Sequence, residues 1–376
     1  MKKICFVTGT RADYGILAPI MKEVTNHPEA QLQIIATNMH LSPQFGMTVK
    51  EIEKDGFKID EKIESLVPGG TAKTTVQSMA KVQEGLAEAF ERLKPDLVVI
   101  LGDRYEALAA ASAAVAFNIP VAHLHGGETT LGAIDDKFRH AITQLSTLHF
   151  AATPQYVDKI VSMGVSPERV FHSGAPGAEV VEETDLSLPQ KFYEKTGLTP
   201  ADSFILFAMH PVTTEIDSGI SQVKVALSAL EPFVAKGMKI LMTMPNSDTG
   251  NKEISDYMEE WAKGFPDKVI PVKSLGSELF HYAMETASVM AGNSSAALIE
   301  APSHRLPAIN IGNRQEGRAH GLTVIDVPVV KERIESALHA AMSLEMKAFL
   351  MGMHVNALNP YYKEGAASFI ADILTR

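Results

Sequence analysis

Short apolar runs of four or five residues recur along this chain, separated by longer amphipathic or alanine-rich stretches. That alternation is the strongest constraint on what the chain can fold into. Runs too short for helices and rich in Val, Ile, Leu and Phe read as buried strands, and strands alternating with helices make βαβ units around parallel sheets. Strands are expected at 4–8, 32–36, 97–101, 121–124 and 149–152, with helices at 15–26, 43–55, 74–93, 105–117 and 135–146. The second half repeats the plan, with strands at 204–208, 239–242, 269–272, 289–291, 308–311 and 323–326. Its helices are expected at 219–235, 252–263, 277–285, 296–304 and 331–343. A length of 376 residues favours two domains over one. The stretch 174–199, with Pro176, Pro189 and an acidic patch from Glu179 to Asp185, reads as the junction, so the domains are expected over 1–175 and 176–359. The tail 360–376 carries Phe369, Ile370, Ile373 and Leu374 at helical spacing and is expected to pack back on the first domain.

Charge and composition exclude several roles. A formal charge of -11 with scattered basic residues argues against a nucleic-acid binder, because phosphate backbones demand clustered Lys and Arg. The only cysteine, Cys5, lies in the first apolar run and reads as a small buried hydrophobe in a reducing compartment. The apolar run after Met1-Lys2-Lys3 is too short for a signal peptide. The alanine-rich stretch 107–117 falls short of the roughly 18 residues of a membrane span. A cytoplasmic protein with no membrane partner is expected.

Open α/β sheets bind ligands beyond the carboxyl ends of their strands, so the residues just after each strand carry the functional information. The first such turn is Thr8-Gly9-Thr10-Arg11-Ala12-Asp13-Tyr14. Its small residues let a ligand approach the backbone and Arg11 can pair with phosphate, although many βα turns carry Gly and Thr for conformation alone. Gly292-Asn293-Ser294-Ser295 puts two adjacent hydroxyls where a helix should start, which suits a diphosphate; the plainer alternative is a Ser cap worth about 1 kcal/mol. Glu300 lies almost two turns along that helix and could reach a ribose hydroxyl. Asp103, in Gly102-Asp103-Arg104, has Glu106 three residues on, the spacing of a capping box. It also has company: His123, His125, Glu128 and Asp135 crowd neighbouring strand ends, and titratable groups in one place shift each other's pKa values toward acid–base work. His123 alone suits a structural hydrogen bond, whereas His125 and Glu128 flank a Gly-Gly loop. These residues are competent metal ligands, but their spacing fits no metal signature, so neither metal nor cofactor is expected. His210-Pro211-Val212-Thr213-Thr214 adds an imidazole and two hydroxyls after a later strand.

Taken in order, these motifs, together with Ile134-Asp135-Asp136, Arg139-His140-Ala141-Ile142, Pro245-Asn246-Ser247-Asp248-Thr249-Gly250 and Gly312-Asn313-Arg314-Gln315, resemble the hydrolysing UDP-N-acetylglucosamine 2-epimerases. The likeness runs from near residue 4 to beyond 320. It implies a GT-B type α/β fold, two Rossmann-like domains with a ligand cleft between them, UDP held mainly by the second and the sugar facing the first. It also implies an enzyme that converts UDP-N-acetylglucosamine and water into N-acetylmannosamine and UDP, by elimination to a glycal followed by hydration, on the way to sialic acids. Carried over residue by residue, the resemblance makes Asp103, His125, Glu128, Asp135 and His210 the catalytic candidates. Arg11, Asp13, His40, Arg104, Asn293, Ser294, Ser295, Glu300, Arg314 and Arg318 become the substrate-binding candidates. The expected partner is a UDP-sugar, and the family prior is a homodimer or homotetramer.

The chain departs from the family pattern at His125, where sialic-acid-type members usually have a catalytic Glu, and the loop from Glu128 to Asp135 is one residue longer. An imidazole exchanges protons but cannot offer a carboxylate's negative charge to a cationic transition state. The His form is more similar to relatives that process 2,4-diacetamido-2,4,6-trideoxy sugars toward legionaminic acid, so the same reaction on that UDP-sugar is the alternative. A GT-B glycosyltransferase and a non-catalytic nucleotide-sugar sensor are further readings, the sensor disfavoured by Asp103 and Asp135. Glu128 could supply part of the missing carboxylate's role.

Overall fold

A computed structural model of the chain describes residues 1–179, 187–215, 217, 219–246, 248 and 250–376. Residues 180–185 of the expected acidic junction, and Ser247 and Thr249 of the Pro245 to Gly250 motif, lie outside them. The chain falls into two compact units, one of Met1–Thr129, Ile134–Glu179 and Lys363–Arg376, the other of Thr130–Ala133 and Val180–Tyr362. A four-residue loop just before Asp135 is therefore part of the second unit.

The first unit is built on seven parallel strands: β1 (Lys2–Thr8), β2 (Ala30–Thr37), β3 (Glu61–Ile63), β4 (Leu97–Leu101), β5 (Val121–Leu124), β6 (Leu148–Ala151) and β7 (Val170–His172), in the order β3-β2-β1-β4-β5-β6-β7. The second has six: β8 (Phe204–Ala208), β9 (Lys239–Thr243), β10 (Val269–Val272), β11 (Val289–Gly292), β12 (Ala308–Ile311) and β13 (Val324–Val327), in the order β10-β9-β8-β11-β12-β13. Both are doubly wound: strand order reverses between β1 and β4 in one and between β8 and β11 in the other. Such reversals are where an open α/β sheet receives its ligand.

Parallel sheets are covered on both faces, which is why their strands read as continuous apolar runs. In β4, Leu97 and Val99 join one buried cluster while Val98 and Ile100 join the other, and Ile4 and Phe6 alternate in the same way with Cys5 and Val7 in β1. Each fully buried aliphatic side chain of this kind contributes about 1.5–3 kcal/mol. The helix Tyr105–Ala116 is alanine-rich because it is held close: Ala109, Ala110, Ala111 and Ala114 are wholly buried in that second cluster. The tail forms a helix, Ala366–Thr375, whose Ile370 and Leu374 enter the first unit's core beside Leu17, Ile20 and Val24.

Most elements lie where periodicity puts them, and the differences have local causes. The first helix, Arg11–Asn26, starts four residues early because Thr10 and Asp13 form a reciprocal cap. The helix expected over 43–55 is a 3₁₀ turn, Pro43–Phe45, and a short helix, Val49–Lys54, divided by Gly46 and Met47 at φ +89° and +50°. The one expected over 296–304 breaks into Ala296–Ile299 and a 3₁₀ turn, Ala301–His304, where Pro302 brings no N–H donor. Glu300 therefore lies at the end of a single turn and not two turns along a helix. Strands β3 and β7, three residues each at the sheet edges, and the helices Pro154–Ser162 and Leu188–Thr196 had no counterpart in the sequence reading.

Candidate active site

The first unit gathers its chemistry at the carboxyl ends of β4 and β5. His125, one residue past β5, is buried and adopts φ +61°, a left-handed conformation that costs a non-glycine residue about 1–2 kcal/mol. Its backbone is tied at both ends: its N–H donates to Phe150 O at 3.0 Å and its carbonyl accepts from Arg139 Nη1 at 2.8 Å. Gly126 and Gly127 follow because nothing larger fits. A Cβ on Gly126 would lie 2.9 Å from His123 Nδ1, and one on Gly127, at φ +75°, 2.7 Å from Tyr156 O.

The side chains then form one network. His125 Nδ1 is 2.7 Å from Glu128 Oε1, and because a carboxylate can only accept, the ring proton of a neutral imidazole sits on Nδ1. His125 Nε2 is left as a lone-pair acceptor, buried and without a hydrogen-bond partner among the described residues. Glu128 has no solvent exposure, and its Oε2 is 3.5 Å from Arg139 Nη1. Arg139 Nη2 pairs with Asp103 Oδ2. Asp103 remains partly open, with 22% of its side chain accessible. The helix Asp135–Leu145 brings Asp135, Arg139 and Thr143 to one face, four residues apart, as helical spacing dictates.

His123 belongs to the frame. Its Nε2 is 2.7 Å from Gly102 O, and burial pushes its pKa down to about 3, so it is neutral and donates to that carbonyl. The capping box expected of Asp103 and Glu106 is absent: the helix is capped at Arg104, Glu106 binds Arg104 Nε at 2.5 Å, and Asp103 is drawn to Arg139 instead. Buried Glu106 also lies where a Cβ on Gly9 would be, 2.6 Å from its Cγ. Arg139, to which the motifs give no role of its own, thus sits at the centre of the network. For Arg139 the available signal was its spacing of four from Asp135.

Two substrate-binding candidates, Asp13 in the first turn and His40 in the 3₁₀ turn after β2, are hydrogen-bonded within the fold. Asp13 Oδ1 accepts from Thr10 N, Thr10 Oγ1 and Thr8 Oγ1, at 2.9, 2.9 and 3.0 Å, and Oδ2 accepts from Gly9 N at 2.9 Å. His40 is fully buried, its Nε2 2.9 Å from Thr8 Oγ1 and its Nδ1 2.8 Å from Thr48 Oγ1, and burial lowers its pKa. Both residues brace the end of β1, each bonded to the Thr8 hydroxyl. Arg11, the first residue of the helix, is half-buried.

The second unit has its own cluster after β8, β11 and β12. Asn293 is wholly buried and pairs reciprocally with His210: its Nδ2 donates to His210 O at 2.9 Å and its Oδ1 accepts from His210 N at 2.7 Å. That staple spans the strand-order reversal and braces the start of the Ser294-Ser295 turn. The Asn293 carbonyl accepts from Gln315 Nε2 at 2.8 Å and Arg314 Nη1 at 3.3 Å, and Arg314 Nε donates to Pro211 O at 3.2 Å. Ser294, Ser295 and Arg314 thus follow a rigid corner. The loop Thr130–Ala133 closes on it, with Thr214 Oγ1 donating to Gly132 O at 3.1 Å and Leu131 N to Glu316 O at 3.2 Å. Beside this corner a cavity of about 560 Å³ is lined by Gln222, Asn310, Gln315, Arg318, His320 and Asp326 among others, with Arg318 Nη1 2.9 Å from Gln315 Oε1. Among the described residues no group of three or more His, Cys, Asp or Glu is arranged to hold a metal, and no helix is long and apolar enough to cross a membrane.

Comparison with known proteins agrees with this geometry. The chain is 37% identical over 349 residues to the GDP/UDP-N,N'-diacetylbacillosamine 2-epimerase (hydrolyzing) of Campylobacter jejuni, covering 93% of this chain and 88% of that protein. It is 38% identical over 347 residues to the UDP-N,N'-diacetylbacillosamine 2-epimerase (hydrolyzing) of Legionella pneumophila, covering 91% and 89%. Among solved structures, UDP-GlcNAc 2-epimerase from Neisseria meningitidis bound to UDP-GlcNAc superposes with a TM-score of 0.82 at 19% identity, over 99% of each chain. The fold is accordingly α/β of the GT-B type, two Rossmann-like units each built on a parallel sheet. Residues 22–375 match the family model described as UDP-N-acetylglucosamine 2-epimerase, and the chain belongs to that family of UDP-sugar 2-epimerases.

Proposed function

We propose that the chain is a hydrolysing UDP-sugar 2-epimerase acting on UDP-2,4-diacetamido-2,4,6-trideoxyglucose, which it converts with water into UDP and the free 2-epimeric sugar. The supporting observation is the linked set His125, Glu128, Arg139 and Asp103 at the ends of β4 and β5. The C2 proton of a neutral sugar is barely acidic. Departure of UDP must therefore lead, with positive charge developing at C1 so that the C2 proton can be removed and a glycal formed. Water then adds to C1 while a proton returns to C2 from the other face. Inversion needs two proton-handling groups, one for each face. His125, with Nε2 as acceptor and Nδ1 held by Glu128, is one; a carboxylate, Asp103 or Asp135, is the other. Glu128 is sealed from solvent and acts through the imidazole, and the pair His125–Glu128 together carries the negative charge that a catalytic Glu would carry alone. Ser294, Ser295, Arg314 and His210 hold the diphosphate, with Arg11, Arg104, Glu300 and Arg318 as further contacts.

The choice of sugar rests on His125 and on the two relatives named as diacetylbacillosamine 2-epimerases; UDP-N-acetylglucosamine, giving N-acetylmannosamine, is the second reading. On family likeness alone, the enzyme is assigned to the cytoplasm as a homodimer or homotetramer. The test is incubation in deuterated water with UDP-2,4-diacetamido-2,4,6-trideoxyglucose, its GDP counterpart and UDP-N-acetylglucosamine, with products read by NMR. Acceptor-independent nucleotide release and deuterium at C2 are expected, with the diacetamido UDP-sugar turned over fastest. Turnover only with an added sugar acceptor would make the protein a glycosyltransferase, and binding without turnover a sensor.

A further inference from the structure

Among the described residues Arg139 is the largest fully buried side chain, 1% exposed, and such a cation needs compensation. Its partners include Asp103 at the end of β4, Glu128 in the loop after β5, and the backbone carbonyl of strained His125. We propose that Arg139 is the positioning residue of this site: one guanidinium fork fixes the Asp103 carboxylate, the Glu128 carboxylate and the left-handed turn at His125 in a single geometry. This rests on the epimerase reading above. The fork suits the task because its N–H donors are coplanar and rigid, whereas an ammonium is a point charge on a flexible stem. A second consequence is electrostatic. Two carboxylates in one poorly hydrated place cannot both stay ionised without a cation between them. Arg139 lies between Asp103 and Glu128 as the cation that both pair with, while Glu128 holds the His125 proton at Nδ1 and leaves Nε2 as the acceptor. The groups facing Arg139 are Asp103 from β4, His123, His125 and Glu128 from β5 and its loop, and Asp135 and His140 on its own helix.

The experiment compares wild type, R139K, R139M, D103N and D103N/R139K for kcat and KM by UDP release, with folding followed by circular dichroism. An inactive wild type would overturn the epimerase reading, whatever the variants do. With an active wild type, R139M removes both the fork and the charge and should lower kcat further than R139K does, by about a hundred-fold or more, with KM little changed. R139K keeps the charge but not the fork, so kcat should fall about ten-fold or more through lost geometry, with KM little changed. Because Arg139 acts in part through Asp103, D103N/R139K should lose less than the product of the two separate losses. The proposal is overturned if folded R139M is no slower than R139K, if R139K acts through KM alone, or if the D103N and R139K losses multiply. Should R139M fail to fold, R139K and the double variant decide.

Discussion

Glu128→Gln isolates the charge behind the imidazole. The substitution is isosteric, so the buried space stays filled, but the amide is neutral and can donate as well as accept. In the native site Glu128 accepts from His125 Nδ1 at 2.7 Å and faces Arg139 at 3.5 Å. A hydrogen bond to a charged group contributes about 1.5–3 kcal/mol, and breaking a buried ion pair costs about 3–5 kcal/mol. Arg139 keeps Asp103, so the loss belongs near the junction of those ranges, at about 3 kcal/mol. At about 2–4 °C per kcal/mol for a unit of this size, Tm should fall by about 6–12 °C. The activity loss should be larger than stability accounts for. The glutamine NH₂ can donate to Nδ1, which moves the ring proton to Nε2 and removes the acceptor; general-base contributions and tautomer-holding carboxylates elsewhere are worth about 10²–10⁴-fold in kcat. The assay is UDP release at saturating UDP-sugar, well below the variant's melting temperature, with Glu128→Asp as a partial rescue. A folded E128Q enzyme with kcat within about threefold of wild type would show that the carboxylate does not act through His125.

Other consequences are equally direct. A Cβ on Gly132 would lie 2.5 Å from Arg314 Cα and 2.7 Å from Asn313 O, both backbone, so Gly132→Ala must push the Thr130–Ala133 loop off the Arg314 corner. Overpacking of this kind costs about 1–3 kcal/mol, and calorimetry should find UDP bound about ten-fold more weakly. Gly352→Ala, whose Cβ meets nothing closer than 3.5 Å, is the control, and equal affinities for the two variants would refute the link. His123, with its pKa pushed down to about 3, and His149, to about 4, are neutral in the fold, whereas an unfolded imidazole titrates near 6.5. The unfolded chain therefore binds more protons below that pH, and stability should fall on acidification by roughly 2 kcal/mol per ring between about pH 6.5 and 5. His123→Gln, which keeps a donor for Gly102 O, should flatten the dependence of Tm on pH in that window; an unchanged slope would mean that other groups carry the acid sensitivity.

The strands and most helices were legible in the sequence because a parallel sheet covered on both faces must be written as short apolar runs, and the residues just after them were marked by type. Asp103, His125 and Glu128 could be named together on those grounds, as could the Asn293 to Ser295 turn. What lay beyond one-dimensional reading was which polar atoms are already spent. Asp13 and His40 look like ligand contacts by position, yet a capping box and two threonine hydroxyls take their polar atoms; Asn293 looks like part of an anion turn, yet it staples β8 to β11. Pro302 ends a helix that periodicity would carry through Glu300. Arg139 became significant only in three dimensions, because its partners are 36, 14 and 11 residues away in the chain and reach it only when β4, β5 and the following helix are packed. Residue type and spacing determine which groups a strand end presents, whereas the allocation of hydrogen bonds and charge among them depends on distances that folding alone creates.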